Sequence, residues 1–149
     1  MKTLLLIPAL LYHAIVFSQD SLKVTNSYQE NIKLAEGYFK KDKFEISGSC
    51  YSLTFERNNG LGKVIDRYNV ACSWALANKP DSALFQLNRI ATKGNFADLD
   101  KLLSDTCFNI LHLDPQWAII VTQVKANIKA FEDKLLNSNI YYDFDVQKQ

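Results

Sequence analysis

Histidine is nearly missing from this chain: His13 and His112 are the only two in 149 residues. A metal centre built from several imidazoles is therefore excluded. Charge of one sign is not in excess either. Seventeen Lys+Arg stand against 16 Asp+Glu, a formal charge of +1, which gives no electrostatic footprint for nucleic acid or an anionic membrane surface. Five glycines and three prolines are too few for a low-complexity or collagen-like chain. With 48% apolar and 22% charged residues the composition is that of a folded protein, long enough for one domain with a real core.

Catalytic motifs are missing as well. The chain contains no HExxH, GxSxG or GxxxxGK[ST] sequence. Gly60-Leu61-Gly62 is too short for a phosphate cradle and follows no strand pattern. Cys107 and His112 are five residues apart, off the spacing that brings helical side chains together, and no third group is at hand to orient them. Asp98, Asp100 and Asp105 read as helix-start and solvent-face residues, and Lys40-Lys41-Asp42 as a solvated turn. The expectation is a protein that is not an enzyme, with no catalytic residue, no metal site and no cofactor.

Lys2 followed by an apolar run through Phe17 reads as a secretory signal occupying residues 1–18, with the small Val16 and Ser18 set before a cut ahead of Gln19. The run is about fifteen residues and is broken by His13, whereas a membrane span needs about twenty, so no stable membrane insertion is expected after cleavage. The expected location is periplasmic or extracellular. Cys50, Cys72 and Cys107 all follow the cut. An odd number leaves at least one thiol without an intramolecular partner, and each reads first as a small buried hydrophobe.

Beyond the signal the apolar spacing is helical. Ile32, Leu34, Ala35, Tyr38 and Phe39 recur at threes and fours, and Phe44, Ser47, Tyr51, Thr54 and Phe55 do the same. The stretch 58–62, with Gly60 and Gly62, closes this pair. Val64, Tyr68, Ala71, Cys72, Ala75 and Leu76 mark a third helix. Pro80 opens a fourth, carried by Ala83, Leu84, Leu87 and Ile90 and ended by Gly94. Residues 97–103 and 107–113 give two short helices or one broken one. Asp114-Pro115 then starts a helix of about twenty residues whose apolar stripe runs from Trp117 through Ile120, Val124 and Ile128 to Leu135. Ile140, Tyr142, Phe144 and Val146 alternate with polar or acidic neighbours at the period of a strand, so the tail 137–149 is expected to be extended or frayed. The fold class is all-α.

Two helix pairs superpose at an offset of 36 residues, which places Leu34, Ala35, Tyr38 and Ser47 on Val70, Ala71, Trp74 and Ala83. Small residues at helix crossings and a large aromatic between them are the size pattern of helical repeat proteins. The segment from Tyr68 through Trp74 to Ala77, with Pro80-Asp81-Ser82-Ala83-Leu84, resembles a tetratricopeptide repeat, and Leu34-Ala35-Glu36-Gly37-Tyr38-Phe39 with Phe44 resembles one more loosely. The stretch from Lys93-Gly94 to Asp114-Pro115-Gln116-Trp117 is similar to the unit that closes such repeats in exported bacterial proteins. The usual tryptophan of the first helix is replaced by Asn31 and Arg67, and Ser47-Gly48 stands where Ala and an aliphatic residue are usual. Gly48 inside a helix costs up to about 1 kcal/mol relative to Ala.

The resemblance implies a short right-handed solenoid of antiparallel helix pairs in a domain spanning 19–136, with repeats at about 27–60 and 63–94 and a closing unit at about 96–136. It further implies protein or peptide binding on a concave face made by the first helix of each pair. Carried over by position, that face holds Ile32, Glu36, Phe39, Lys40, Tyr68, Cys72 and Leu76. Phe39, Tyr68 and Leu76 are expected to carry binding of an apolar or extended segment. Cys72 on the first helix and Cys50 on the helix packed before it give a candidate disulfide. The rival reading is a cell-envelope assembly subunit that associates with itself or a larger enzyme through the helix at 115–136.

Overall fold

The computed structural model describes the backbone of residues 24–146 and the side chains of residues 24–137. The expected signal at 1–18 lies outside the described residues. Among the described residues six α-helices and one 3-10 helix follow one another: α1 Tyr28–Phe39, α2 Phe44–Arg57, α3 Val64–Leu76, α4 Pro80–Lys93, α5 Leu99–Ser104, the 3-10 helix Thr106–Leu111, and α6 Pro115–Val146. No strand occurs among the described residues, so the all-α expectation holds. None of the described helices is long and apolar enough to cross a membrane.

Local chemistry sets the boundaries. The Ser27 hydroxyl accepts from the Glu30 amide at the start of α1. Pro80 occupies the first turn of α4, where its missing N–H is not needed. Asp98 caps α5 through the Lys101 amide, Asp105 caps the 3-10 helix through the Cys107 amide, and Asp114 caps α6 through the Gln116 amide at 2.8 Å. The turns use left-handed Asp42, Asn59, Asn78 and Asn95, residue types that tolerate positive φ, with Gly60 beside Asn59.

Successive helices α1 to α4 pack each on the next, and α6 and the 3-10 helix lie against α4 and α3 respectively. α3 forms the wall between two apolar clusters. One joins Ile32, Ala35, Cys50, Tyr51, Phe55 and Val70. The other is built on Leu84, Leu87, Ile90, Leu102, Phe108, Leu111, Trp117, Ile120 and Val124, together with Tyr68 and Ala71 from α3. Trp74 touches both. The small residues at the crossings, Ala35, Ser47, Ala71 and Ala83, are all fully buried, and the Ser47 hydroxyl lies 2.9 Å from the Ala35 carbonyl oxygen and 3.1 Å from the Ser73 hydroxyl. The polar residues Asn31 and Arg67 are buried too. Asn31 holds Thr25 through both its amide groups, and Arg67 donates to the Gly60 carbonyl, so each ties down the segment that leads into its own helix.

Two expectations change. α6 does not stop near residue 136; its backbone stays helical to Val146, so residues 140–146 are helix and not strand. Extending a formed helix adds a hydrogen bond per residue with no new nucleation, and this outweighs a short alternating pattern with no sheet edge to join. The disulfide also differs from the expected Cys50–Cys72 pairing: Cys72 is bonded to Cys107, with Cα atoms 5.4 Å apart, and Cys50 is a buried free thiol. The face of α3 explains the correction. Val70 and Ser73 turn toward α2, whereas Tyr68 and Cys72, one helical turn apart, both turn toward the 105–107 region. Cys50 points instead at the Asn31 carbonyl of α1, 3.5 Å away, and burial pushes its thiol up to about 11.

Candidate functional site

A concavity of about 520 Å³ opens between the C-terminal end of α1, the middle of α2, α3 and the start of the 3-10 helix. Glu36, Phe39 and Lys40 line it from the end of α1, Tyr51 from α2, Tyr68, Asn69 and Cys72 from α3, and Asp105 from the turn after α5. Of the residues assigned from the sequence, Glu36, Phe39, Lys40, Tyr68 and Cys72 meet here. Ile32 and Leu76 do not. Ile32 faces α2 in the core cluster, and Leu76 sits at the end of α3, 42% exposed, outside the concavity.

Tyr68 is the floor of the groove and not a projecting contact, since only 2% of it is exposed. Its ring meets Phe108 edge-on at 5.2 Å and Phe96 at 5.5 Å. Its hydroxyl donates to the Asp105 carboxylate at 2.9 Å, and the Lys101 ammonium lies 4.7 Å above the ring. Burial, then the hydrogen bond to Asp105, holds its ionisation far above the ordinary tyrosine range. Tyr51 is raised in the same way by burial, partly offset by the Asn69 side chain. Both rings therefore present neutral phenols to the groove. Phe39 is the apolar lip: it is half-buried and packs on Phe44 at 5.2 Å. The rim carries Glu36 and exposed Lys40, and Asn69 offers both an amide donor and an acceptor.

Tyr51, Asn69 and Asp105 were not assigned from the sequence. Tyr51 reads as core from its helical period, and it is core, 1% exposed, while still forming part of the wall. Asp105 reads as a helix start, and it is one; nothing in the sequence signals that the same carboxylate also reaches Tyr68.

Cys72, Asp105 and Cys107 bring two sulfurs and a carboxylate within 4.8 Å of one another, but the sulfurs are bonded to each other and the carboxylate accepts from the Tyr68 hydroxyl and the Cys107 amide. His112 is exposed at the end of the 3-10 helix with its ring 4.7 Å from Trp117, and Cys107, whose spacing from it argues against a thiol–imidazole pair, is in the disulfide. The arrangement offers shape, apolar rings and hydrogen-bonding groups. No family model, no characterised protein and no solved structure matches the chain.

Proposed function

We propose that this protein is a non-catalytic binding module of the exported type, a short tetratricopeptide-like solenoid whose groove takes a peptide or protein segment. The convergence of Glu36, Phe39, Lys40, Tyr68 and Cys72 on one concavity is the observation that carries this reading, because repeat position alone assigns these five, with Ile32 and Leu76, to one face. The groove's apolar walls with a few hydrogen-bonding groups suit an extended segment that buries one or two apolar side chains and pairs its backbone with Asn69.

Support for the solenoid comes from recurrence at 36 residues. α1 begins at Tyr28 and α3 at Val64; α2 spans Phe44–Arg57 and α4 Pro80–Lys93. The left-handed residues Asp42 and Asn59 recur as Asn78 and Asn95. The turn hydrogen bond from the Lys43 amide to the Tyr38 carbonyl recurs from Lys79 to Trp74. The same backbone device is thus used twice, with different side chains. The Cys72–Cys107 disulfide is consistent with an oxidising compartment, as export requires.

A self-associating assembly subunit is the second reading, favoured by α6. Trp117 is buried and Val121 partly so, but every described side chain from Lys129 to Asn137 is exposed, and Phe131 is 60% exposed. Capture from a host extract separates the two. The protein should retain a partner that a Phe39→Ala variant of equal helicity loses. Retention by both would overturn the groove assignment, and retention of the protein's own chain alone would favour the assembly subunit.

A further inference from the structure

On the far side of α3 from the groove, Arg67 and Arg89 meet at one backbone oxygen. Nη2 of Arg67 donates to the Gly60 carbonyl at 2.6 Å, and Nη2 of Arg89 donates to the same oxygen at 3.0 Å. The two guanidinium ions therefore lie within contact range of each other. Arg67 is only 7% exposed, its Nη1 donates to Gln86 Oε1 at 2.7 Å, and its Cζ stands 4.5 Å over the Phe55 ring. Each of those partners is neutral. Neither arginine is in an ion pair among the described residues. Asp66, the adjacent acid, is held by the Tyr28 hydroxyl at 2.7 Å, and Asp81 stands two turns before Arg89 on α4, about 12 Å along the helix axis. Burial, then the neighbouring Arg89, lowers the pKa of Arg67, with Tyr28 acting in the opposite direction.

A concavity of about 230 Å³ adjoins this pair, between the 60–62 turn and the C-terminal end of α4. Arg67, Arg89 and the exposed Lys93 line it, together with Gly60, Gly62 and Gly94, and no carboxylate does. It has room for about seven waters at liquid density, or a tetrahedral oxyanion with a few of them. A larger concavity of about 500 Å³ shares Gly60, Arg67 and Arg89 and has Asp81 in its lining, so the carboxylate-free side of the pair is the smaller concavity. Two like charges held together in a partly desolvated site are unfavourable until an anion bridges them. Guanidinium forks match phosphate oxygens bidentately, and a third cation one helical turn beyond Arg89 adds charge without steric demand.

We propose that Arg67, Arg89 and Lys93 form a binding site for a phosphate-type oxyanion, the phosphate monoester group of a small ligand. This is not the nucleotide-binding loop that the sequence excluded, because the charge comes from α3 and α4 and the glycine turn only leaves space. The inference does not rest on the groove reading, since it concerns the opposite face. Its test is titration of the purified protein with inorganic phosphate, sulfate and acetate at ionic strength held constant with sodium chloride, followed by the amide NMR signals of Gly60, Gly62 and Gly94. Saturable one-to-one phosphate binding is expected, weakened about tenfold in Arg89→Gln and about threefold in Lys93→Gln. Arg89→Gln also removes a bond to the turn, so Lys93→Gln, on an exposed side chain, decides if the first variant loses stability. Affinity unchanged in Lys93→Gln, or shifts that never saturate and match those of chloride, would overturn the site. Acetate binding as tightly as phosphate would overturn the choice of phosphate.

Discussion

Trp74 lies against the bare Cα of Gly48: a β-carbon placed on Gly48 would stand 2.7 Å from two atoms of the indole ring. A glycine that weakens α2 by its own propensity is thus what lets α3 approach α2, and the indole Nε1 completes the contact by donating to the Ser52 hydroxyl at 3.3 Å. Packing overrides propensity here.

Gly48→Ala should therefore destabilise the protein by about 1–2 kcal/mol, since the overpacking of 1–3 kcal/mol exceeds the helix gain of up to 1. Gly37, in the last turn of α1, has nothing within 4 Å of an added β-carbon. Gly37→Ala should stabilise by up to about 0.5 kcal/mol, less than in a helix interior. Chemical denaturation of the two variants beside the parent checks the opposite signs.

The Cys72–Cys107 bridge closes a loop with a sequence separation of 35, for which the chain-entropy account gives about 4 kcal/mol. A Cys72→Ser/Cys107→Ser double variant should lose roughly that much stability, while alkylation of the parent before unfolding should modify no cysteine. Peptide mapping after unfolding should find Cys50 alone alkylated. A bridged peptide containing Cys50 would contradict the assignment.

Stability should fall in base. Tyr28 is raised by burial from 10.0 to about 12, and Cys50 by burial from 9.0 to about 11; Tyr51 and Tyr68 move in the same direction. These groups are neutral in the fold and ionise more readily once unfolded. Their contribution is therefore fully present below the unfolded values and is lost as pH rises through the folded ones. Melting temperature should be insensitive to these groups below about pH 8 and decline between about pH 9 and 12. Tyr68→Phe, which removes the bond to Asp105, should cost about 1 kcal/mol at neutral pH.

The helices and their caps were legible because they depend on residues close in sequence. Asp114-Pro115, Pro80 and the 36-residue recurrence of small and aromatic positions mark elements whose starts the structure reproduces within a few residues, although α6 runs about ten residues past its expected end. The disulfide was not legible, because Cys72 can turn to α2 or to the 3-10 helix, and only the packing of Tyr68 against Phe108 settles which. Asp105 joined the groove for the same reason: its contact with Tyr68 spans 37 residues and leaves no local trace. At residues 140–146 a period-two pattern misled, because a side-chain period says which faces differ and not whether a sheet is there to receive them.

The central claim is that the groove, and not α6, holds the partner. A photoreactive benzophenone side chain placed at Phe39, and separately at Phe131, would be irradiated in the native host. The groove reading predicts an adduct with a second protein from position 39 and none from position 131. An adduct from position 131 with silence at position 39 would contradict it.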